Sequence, residues 1–232
     1  MIFVSSLANL NVFPYFQQST INKRMPRTID HIVYAVFDLD RAIADFTQLL
    51  GIAPVFGGHH QDRGTKNALL NLGKGCYLEI IAIDEWNTRV APPRWMGLDV
   101  LQKPQITRWC LKSENLAKDQ ALLKAYDPKM GEQWSGKRQT ASGELLAWEM
   151  LLPLPEPEVE VVPFMVDWGA SAFHPTERLE EKCFWHELIL YHPEPMLVES
   201  LFGTLAIGFS VKKADQAAIS LSIESPLGRV IL

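Results

Sequence analysis

Three stretches of this 232-residue chain repeat one order of elements: a strand, then a helix, then further strands. The corresponding first-strand positions, His31, Trp109 and His186, stand 78 and 77 residues apart. A short unit with one apolar sheet face cannot bury that face alone, so internal repetition predicts copies packed against one another. The expectation is an α+β fold of repeated βαβββ modules, whose curved mixed sheets lie around a cavity. Its divisions are an extension over 1–27, a first module over 28–84, a connection over 85–105, a second module over 106–168 and a third, βαββ-type module over 169–232.

In the first module, residues 29–37 are rich in β-branched and aromatic side chains and predict a strand, with His31, Val33 and Ala35 on one face. Asp38 suits a helix N-cap. Apolar residues then recur at Leu39, Ala42, Ile43, Phe46, Leu49 and Leu50, the spacing of a one-sided helix, and Gly51 offers a left-handed C-cap. Residues 52–56, 67–72 and 76–83 read as strands, with Gly73-Lys74-Gly75 as a tight turn. The second module predicts strands at 106–112, 133–140, 145–152 and 161–168, a helix at 116–126 and a turn at Ser142-Gly143. The third predicts a strand at 184–192, a helix at 194–202 ended by Gly203, and strands at 207–212, 217–222 and 229–232.

The stretch from Gly57 to Ile83 carries the chemistry. It opens with Gly57-Gly58-His59-His60 and ends on a strand whose alternation puts Tyr77, Glu79 and Ile81 on one face. A carboxylate among so much apolar surface is costly to bury without a partner. A metal, a histidine or a substrate would serve, and a solvated sheet face is the plain alternative for Glu79. His59 and His60 lie in a glycine-rich polar loop, where an imidazole suits substrate contact or general-base work.

Net charge is −5 and no dense basic patch is present, which disfavours nucleic acid as a partner. No apolar run is long enough to span a membrane. Cys76, Cys110 and Cys183 are far apart and form no CxxC, the usage of reduced, buried thiols in a cytoplasmic protein. In residues 1–27, Lys23, Arg24 and Arg27 come after the apolar part, the wrong order for a signal peptide, so the expectation is an extension before the core, with Met25 as a natural first residue.

Asp30-His31, Asp38-Leu39, Leu50-Gly51, Gly57-Gly58-His59-His60, Gly64-Thr65, Asn67, Leu72-Gly73 and Tyr77-Leu78-Glu79 together resemble the vicinal oxygen chelate superfamily, the fold of glyoxalases, bleomycin-resistance proteins and extradiol dioxygenases. The resemblance is narrower to its glyoxalase-like domain branch, and Pro163-Phe164, Asp167-Trp168 and His174-Pro175 extend it into the second half. It implies an enzyme of lyase, isomerase or dioxygenase type acting on a small oxygenated metabolite. The alternative is a metal-free protein of the same fold that binds and sequesters a small molecule. In metal-binding members a histidine on the first strand and a glutamate on the last strand of a module point into the cavity, and His31 and Glu79 match those positions. The resemblance therefore implies a divalent ion (Mn, Fe, Ni or Zn) held by His31, Glu79 and a third group from His60, His174 or His186, with His186 as the counterpart in the third unit. No fourth ligand is found, since the position matching Glu79 there is Leu232.

The catalytic candidates are His60 and Glu79. His59, Arg63, Asn67, Trp109, Trp168 and His174 are the candidates for substrate contact, the tryptophans with Trp148 as an apolar wall. The other reading of His31 is a satisfied polar residue hydrogen-bonded to Glu79. Pairing of modules across chains makes a homodimer an expectation as well.

Overall fold

The computed structural model describes residues 27–139, 143–169 and 171–232. The proposed extension before residue 27, the end of the predicted strand at Thr140 and the turn residue Ser142 lie outside the described residues. Arg27 is described, and its guanidinium donates to the buried Asp119 carboxylate at 2.7 Å and to the Leu205 carbonyl at 2.7 Å.

β1 (Ile29–Ala35) leads through Asp38, whose carboxylate caps the Arg41 amide, into α1 (Leu39–Leu50). Gly51 closes that helix at φ 73°, a conformation only glycine adopts without strain. β2 (Val55–His60), β3 (Thr65–Asn71) and β4 (Tyr77–Ile83) complete the first unit. The second unit follows the same order: β5 (Gln105–Lys112), α2 (Leu116–Tyr126), β6 (Gln133–Gln139), β7 (Leu145–Leu151) and β8 (Phe164–Asp167). β8 is shorter than predicted because Pro163 has no amide to donate, and residues 161–163 run as buried irregular chain.

These strands form one mixed sheet in the order β2-β3-β4-β1-β5-β8-β7-β6. In both units the last strand runs parallel beside the first, and the first strands, β1 and β5, join the units antiparallel. The sheet curls far enough that its two ends, β2 and β6, come back into contact. Its convex face packs against α1, α2 and their apolar stripes, while the concave face carries a second apolar cluster that includes Val33, Trp95, Met96, Cys110, Trp148 and Phe164.

The remaining chain, β9 (Phe184–His192), α3 (Pro195–Leu205), β10 (Val211–Lys213), β11 (Ala218–Ser225) and β12 (Gly228–Ile231), forms a separate sheet in the order β10-β9-β11-β12. Here the first strand is flanked by the second and third, so this unit pairs in a different order from the other two. It lies on the helix side of the large sheet, with α3 against α2 and β11 against β5. α3 passes the predicted stop at Gly203, which faces open space, because the buried stripe Val198, Leu201, Phe202 continues to Leu205. Ala206 at φ 57° closes it instead. Cys76, Cys110 and Cys183 are buried and unpaired, and no helix among the described residues is long and apolar enough to cross a membrane.

Candidate functional site

β1 and β4 run parallel with His31 beside Tyr77 and Val33 beside Glu79, so the odd-numbered side chains of both strands share the concave face. There His31 Nε2 stands 3.6 Å from Glu79 Oε2. The two groups line one cavity with His60, Asn67, Tyr77, Trp95, Trp148 and Trp168. Its volume is about 30 Å³, enough for an ion with a water or for the oxygenated head of a small molecule, and far below a drug-sized pocket.

Each polar group in it is held from behind. Glu79 Oε1 accepts from Asn67 Nδ2 at 2.6 Å, leaving Oε2 turned toward His31. His60 Nδ1 is bonded to Thr65 Oγ1 at 3.0 Å, and Trp95 donates its indole N–H to the same hydroxyl. The other imidazole nitrogen of His60, Nε2, then lies 3.9 Å from Glu79 Oε1.

Behind His31 stands Asp30, a fully buried carboxylate. It accepts from His31 Nδ1 at 2.7 Å, from the Trp168 indole at 3.0 Å and from His174 Nε2 at 3.1 Å. His174 Nδ1 accepts from the Thr176 amide, which assigns the donating proton to its Nε2. Burial acts to raise the pKa of Asp30, but the hydrogen bonds and charges of His174 and His31 outweigh it, and the pKa is held down at about 2. Strand alternation would put Asp30 on the face opposite His31. It escapes because β1 slips one residue against β5 here, where Ile29 pairs with Leu111 and His31 with Cys110. Asp30 is the extra residue of that bulge, a device that re-aims side chains beside binding sites.

Cys110 brings its sulfur within 4.8 Å of ligand atoms of Asp30 and His31. That trio is a poor metal set: the nearest His31 nitrogen is already spent on Asp30, and burial pushes the thiol well above its usual range. His31 Nε2 and His60 Nε2 face different oxygens of Glu79, two imidazoles and one carboxylate spread more widely than the 4.8 Å of that trio, with Asn67 Nδ2 3.5 Å from His60 Nε2. Asp30 stands behind Nδ1 and Glu79 before Nε2, so two buried carboxylates flank His31.

The other sequence-derived candidates are scattered. Asn67 and Trp168 line the cavity, bonded to Glu79 and Asp30, and His174 reaches it through Asp30. His59 turns away and donates Nδ1 to Asp84 at 2.7 Å on the outer surface. Trp109 points to the convex side, fully buried, with its indole donating to the Val161 carbonyl at 2.7 Å. Alternation explains this, since Trp109 pairs with Ile32, not His31. His186 lies exposed on β9, in the other sheet, so the structure does not bring it to His31 and Glu79. Arg63 rests its guanidinium on Trp134 and Trp95, 4.5 and 5.5 Å from the ring centroids. Asp30 stands out in the sequence only as part of the Asp30-His31 pair, and no motif singles out Trp95 or Met96. The latter two come from the connection over 85–105, where no periodicity marks an inward face.

The sequence profile of a family described as the glyoxalase-like domain matches residues 29–202. No curated protein gives a significant match. Among solved structures, a hypothetical protein from Staphylococcus aureus is similar with a TM-score of 0.61 at 14% identity, covering 82% of this chain and 87% of the other. A methylmalonyl-CoA epimerase from Mycobacterium tuberculosis has a TM-score of 0.40 at 19% identity, covering 62% and 91%. One from Streptomyces coelicolor, in complex with 2-nitronate-propionyl-CoA, has 0.41 at 16%, covering 64% and 99%.

Proposed function

Because the chain belongs to the glyoxalase-like domain family of the vicinal oxygen chelate superfamily, we propose that it is an enzyme of that type, acting on a small oxygenated metabolite at a divalent ion held by His31, His60 and Glu79. The observation that carries this is the convergence of both imidazole Nε2 atoms on one buried carboxylate, at 3.6 and 3.9 Å, while their Nδ1 atoms are engaged elsewhere.

A bound divalent ion would supply Lewis-acid polarisation of a carbonyl or enolate oxygen. The chain's own groups do the rest. Asp30 holds His31 with Nε2 toward the cavity, and Asn67 fixes the Glu79 carboxylate. Trp95, Trp148, Trp168 and Tyr77 keep water from the reacting atoms and so strengthen every charge interaction inside. Thr65, bonded to Nδ1, would hold His60 with Nε2 toward the ion.

One feature favours the second reading, a metal-free binding protein: the second unit lines the cavity with Trp148, Met150, Val166 and Trp168, none of them an imidazole, carboxylate or thiolate. Elemental analysis separates the two. Protein purified without chelator is expected to hold near-stoichiometric Mn, Fe, Ni or Zn, lost in His31→Ala and Glu79→Ala. A chain that takes up no metal under any loading condition would be the binder. Cytoplasmic residence and a homodimer belong to the same proposal.

A further inference from the structure

Across the β6–β7 ladder Gly136 pairs with Trp148. Trp148 is buried and lines the cavity, its ring 6.5 Å from that of His60. β7 stands next to one end of the large sheet and β2 forms the other, so it is the curl that brings these two rings together. A methyl group on Gly136 would collide with the Trp148 indole, and with Trp134 beside it. Gly136 has no left-handed backbone, so what the fold uses here is the missing side chain. The indole of Trp148 lies across the glycine, in the space a side chain would fill. Trp95 and Trp168, the other tryptophans of the cavity, are pinned by hydrogen bonds to Thr65 and Asp30, inside the network that holds His60 and His31. Trp148 is the wall that packing on Gly136 positions. With it in place the cavity measures about 30 Å³, room for about two to three water-sized groups. Two adjacent oxygens with the carbon between them fit that space. A cavity that takes up a benzene ring measures about 150 Å³.

We propose that Trp148, laid on Gly136, decides which ligands enter: the site takes adjacent oxygens carried on a short aliphatic head and rejects the same oxygens carried beside an aromatic ring. This rests on the reading of the cavity as a small-molecule site and narrows its substrate to the aliphatic class.

The test is calorimetric titration of the full chain, before and after loading with divalent metal, with acetohydroxamate and benzohydroxamate. Both present the same carbonyl and hydroxyl oxygens, the first beside a methyl group and the second beside a phenyl ring. Trp148→Ala, Gly136→Ala and the double variant are titrated alongside, with metal content and thermal midpoint recorded for each. The parent chain is expected to bind acetohydroxamate about ten- to hundredfold tighter than benzohydroxamate, the scale of overfilling a packed space. Trp148→Ala removes or reverses that preference by admitting the ring. Gly136→Ala drives the indole off its seat and weakens acetohydroxamate about tenfold. That loss shrinks in the double variant, where the new methyl group no longer meets Trp148; a glycine needed only for folding would cost the same in both backgrounds. Equal affinity for the two probes, a preference that survives Trp148→Ala, an unchanged Gly136→Ala loss in the double variant, or no binding of either probe would overturn it. Should Trp148→Ala not fold, Trp148→Leu decides, and an undiminished preference there counts against the filter. A Trp148-dependent preference in protein that takes up no metal would sink the metal reading and leave the filter standing. Bound metal with a preference indifferent to Trp148 would do the reverse.

Discussion

The carboxylate of Asp30 accepts a hydrogen bond from the ring of His31, its immediate neighbour in the strand, at 2.7 Å. Successive residues of a regular strand cannot share a face, so this contact exists only because β1 is bulged at Asp30. With His174 and Trp168 also donating, three N–H groups converge on one buried carboxylate and fix which nitrogen of His31 meets the cavity.

Asp30→Asn tests that arrangement. The amide keeps one acceptor oxygen and presents an NH₂ to groups that are themselves donors. Unfolding in urea is expected to show a loss of about 2–4 kcal/mol, the scale of buried charge-assisted bonds left unmade. Metal affinity of the folded fraction is expected to fall about ten- to hundredfold, as when the partner behind a metal-bound imidazole is removed.

The same carboxyl gives a pH dependence with a definite sign. Its pKa is about 2 in the folded chain against 3.8 for an ordinary aspartate. A depressed carboxyl contributes stability that is complete above the ordinary value and fades as pH falls through the folded one. Asp30 should therefore contribute about 2 kcal/mol near neutrality and lose it between about pH 4 and pH 2. Urea midpoints across that window should fall less steeply in Asp30→Asn; equal slopes would show that other carboxylates carry the acid response.

Much of this was legible in the sequence, because period and capping are local. β1, α1 and α2 declared themselves through alternation, the Asp38 cap and the Gly51 stop, and the shared face of His31 and Glu79 followed from alternation once their strands paired in parallel. What stayed hidden depends on neighbours distant in the chain. The bulge that turns Asp30 inward is a property of the β1–β5 pairing, with no mark in either strand alone. His186 occupies the right place in the repeat, 77 residues after Trp109, yet β9 pairs between β10 and β11, and spacing does not encode strand order. Trp109 misled for a simpler reason: it stands one residue from Cys110, the partner of His31, and one residue is the difference between the two faces of a sheet.

Gly57→Ala probes how tightly the site is backed. A methyl group at position 57 would collide with the Asn67 side-chain oxygen, and Asn67 is the donor that holds Glu79. Gly57 needs no left-handed backbone, so the whole cost is overpacking, about 1–3 kcal/mol. The expected signature is weaker metal or ligand binding out of proportion to a modest drop in thermal midpoint. A variant that binds normally would show that Asn67 can move aside without disturbing Glu79.

A paired comparison of histidines decides the ligand set. His60→Ala removes a buried imidazole whose Nε2 faces Glu79, and metal retention on dialysis should fall by more than about a hundredfold, beyond the losses typical of outer-sphere changes. His186→Ala removes an exposed imidazole on a different sheet, and should leave metal content unaltered and stability within about 0.5 kcal/mol of the parent. If His186→Ala lost the metal and His60→Ala kept it, the ion would have to lie outside the concave face, and neither Glu79 nor His31 would have a claim on it.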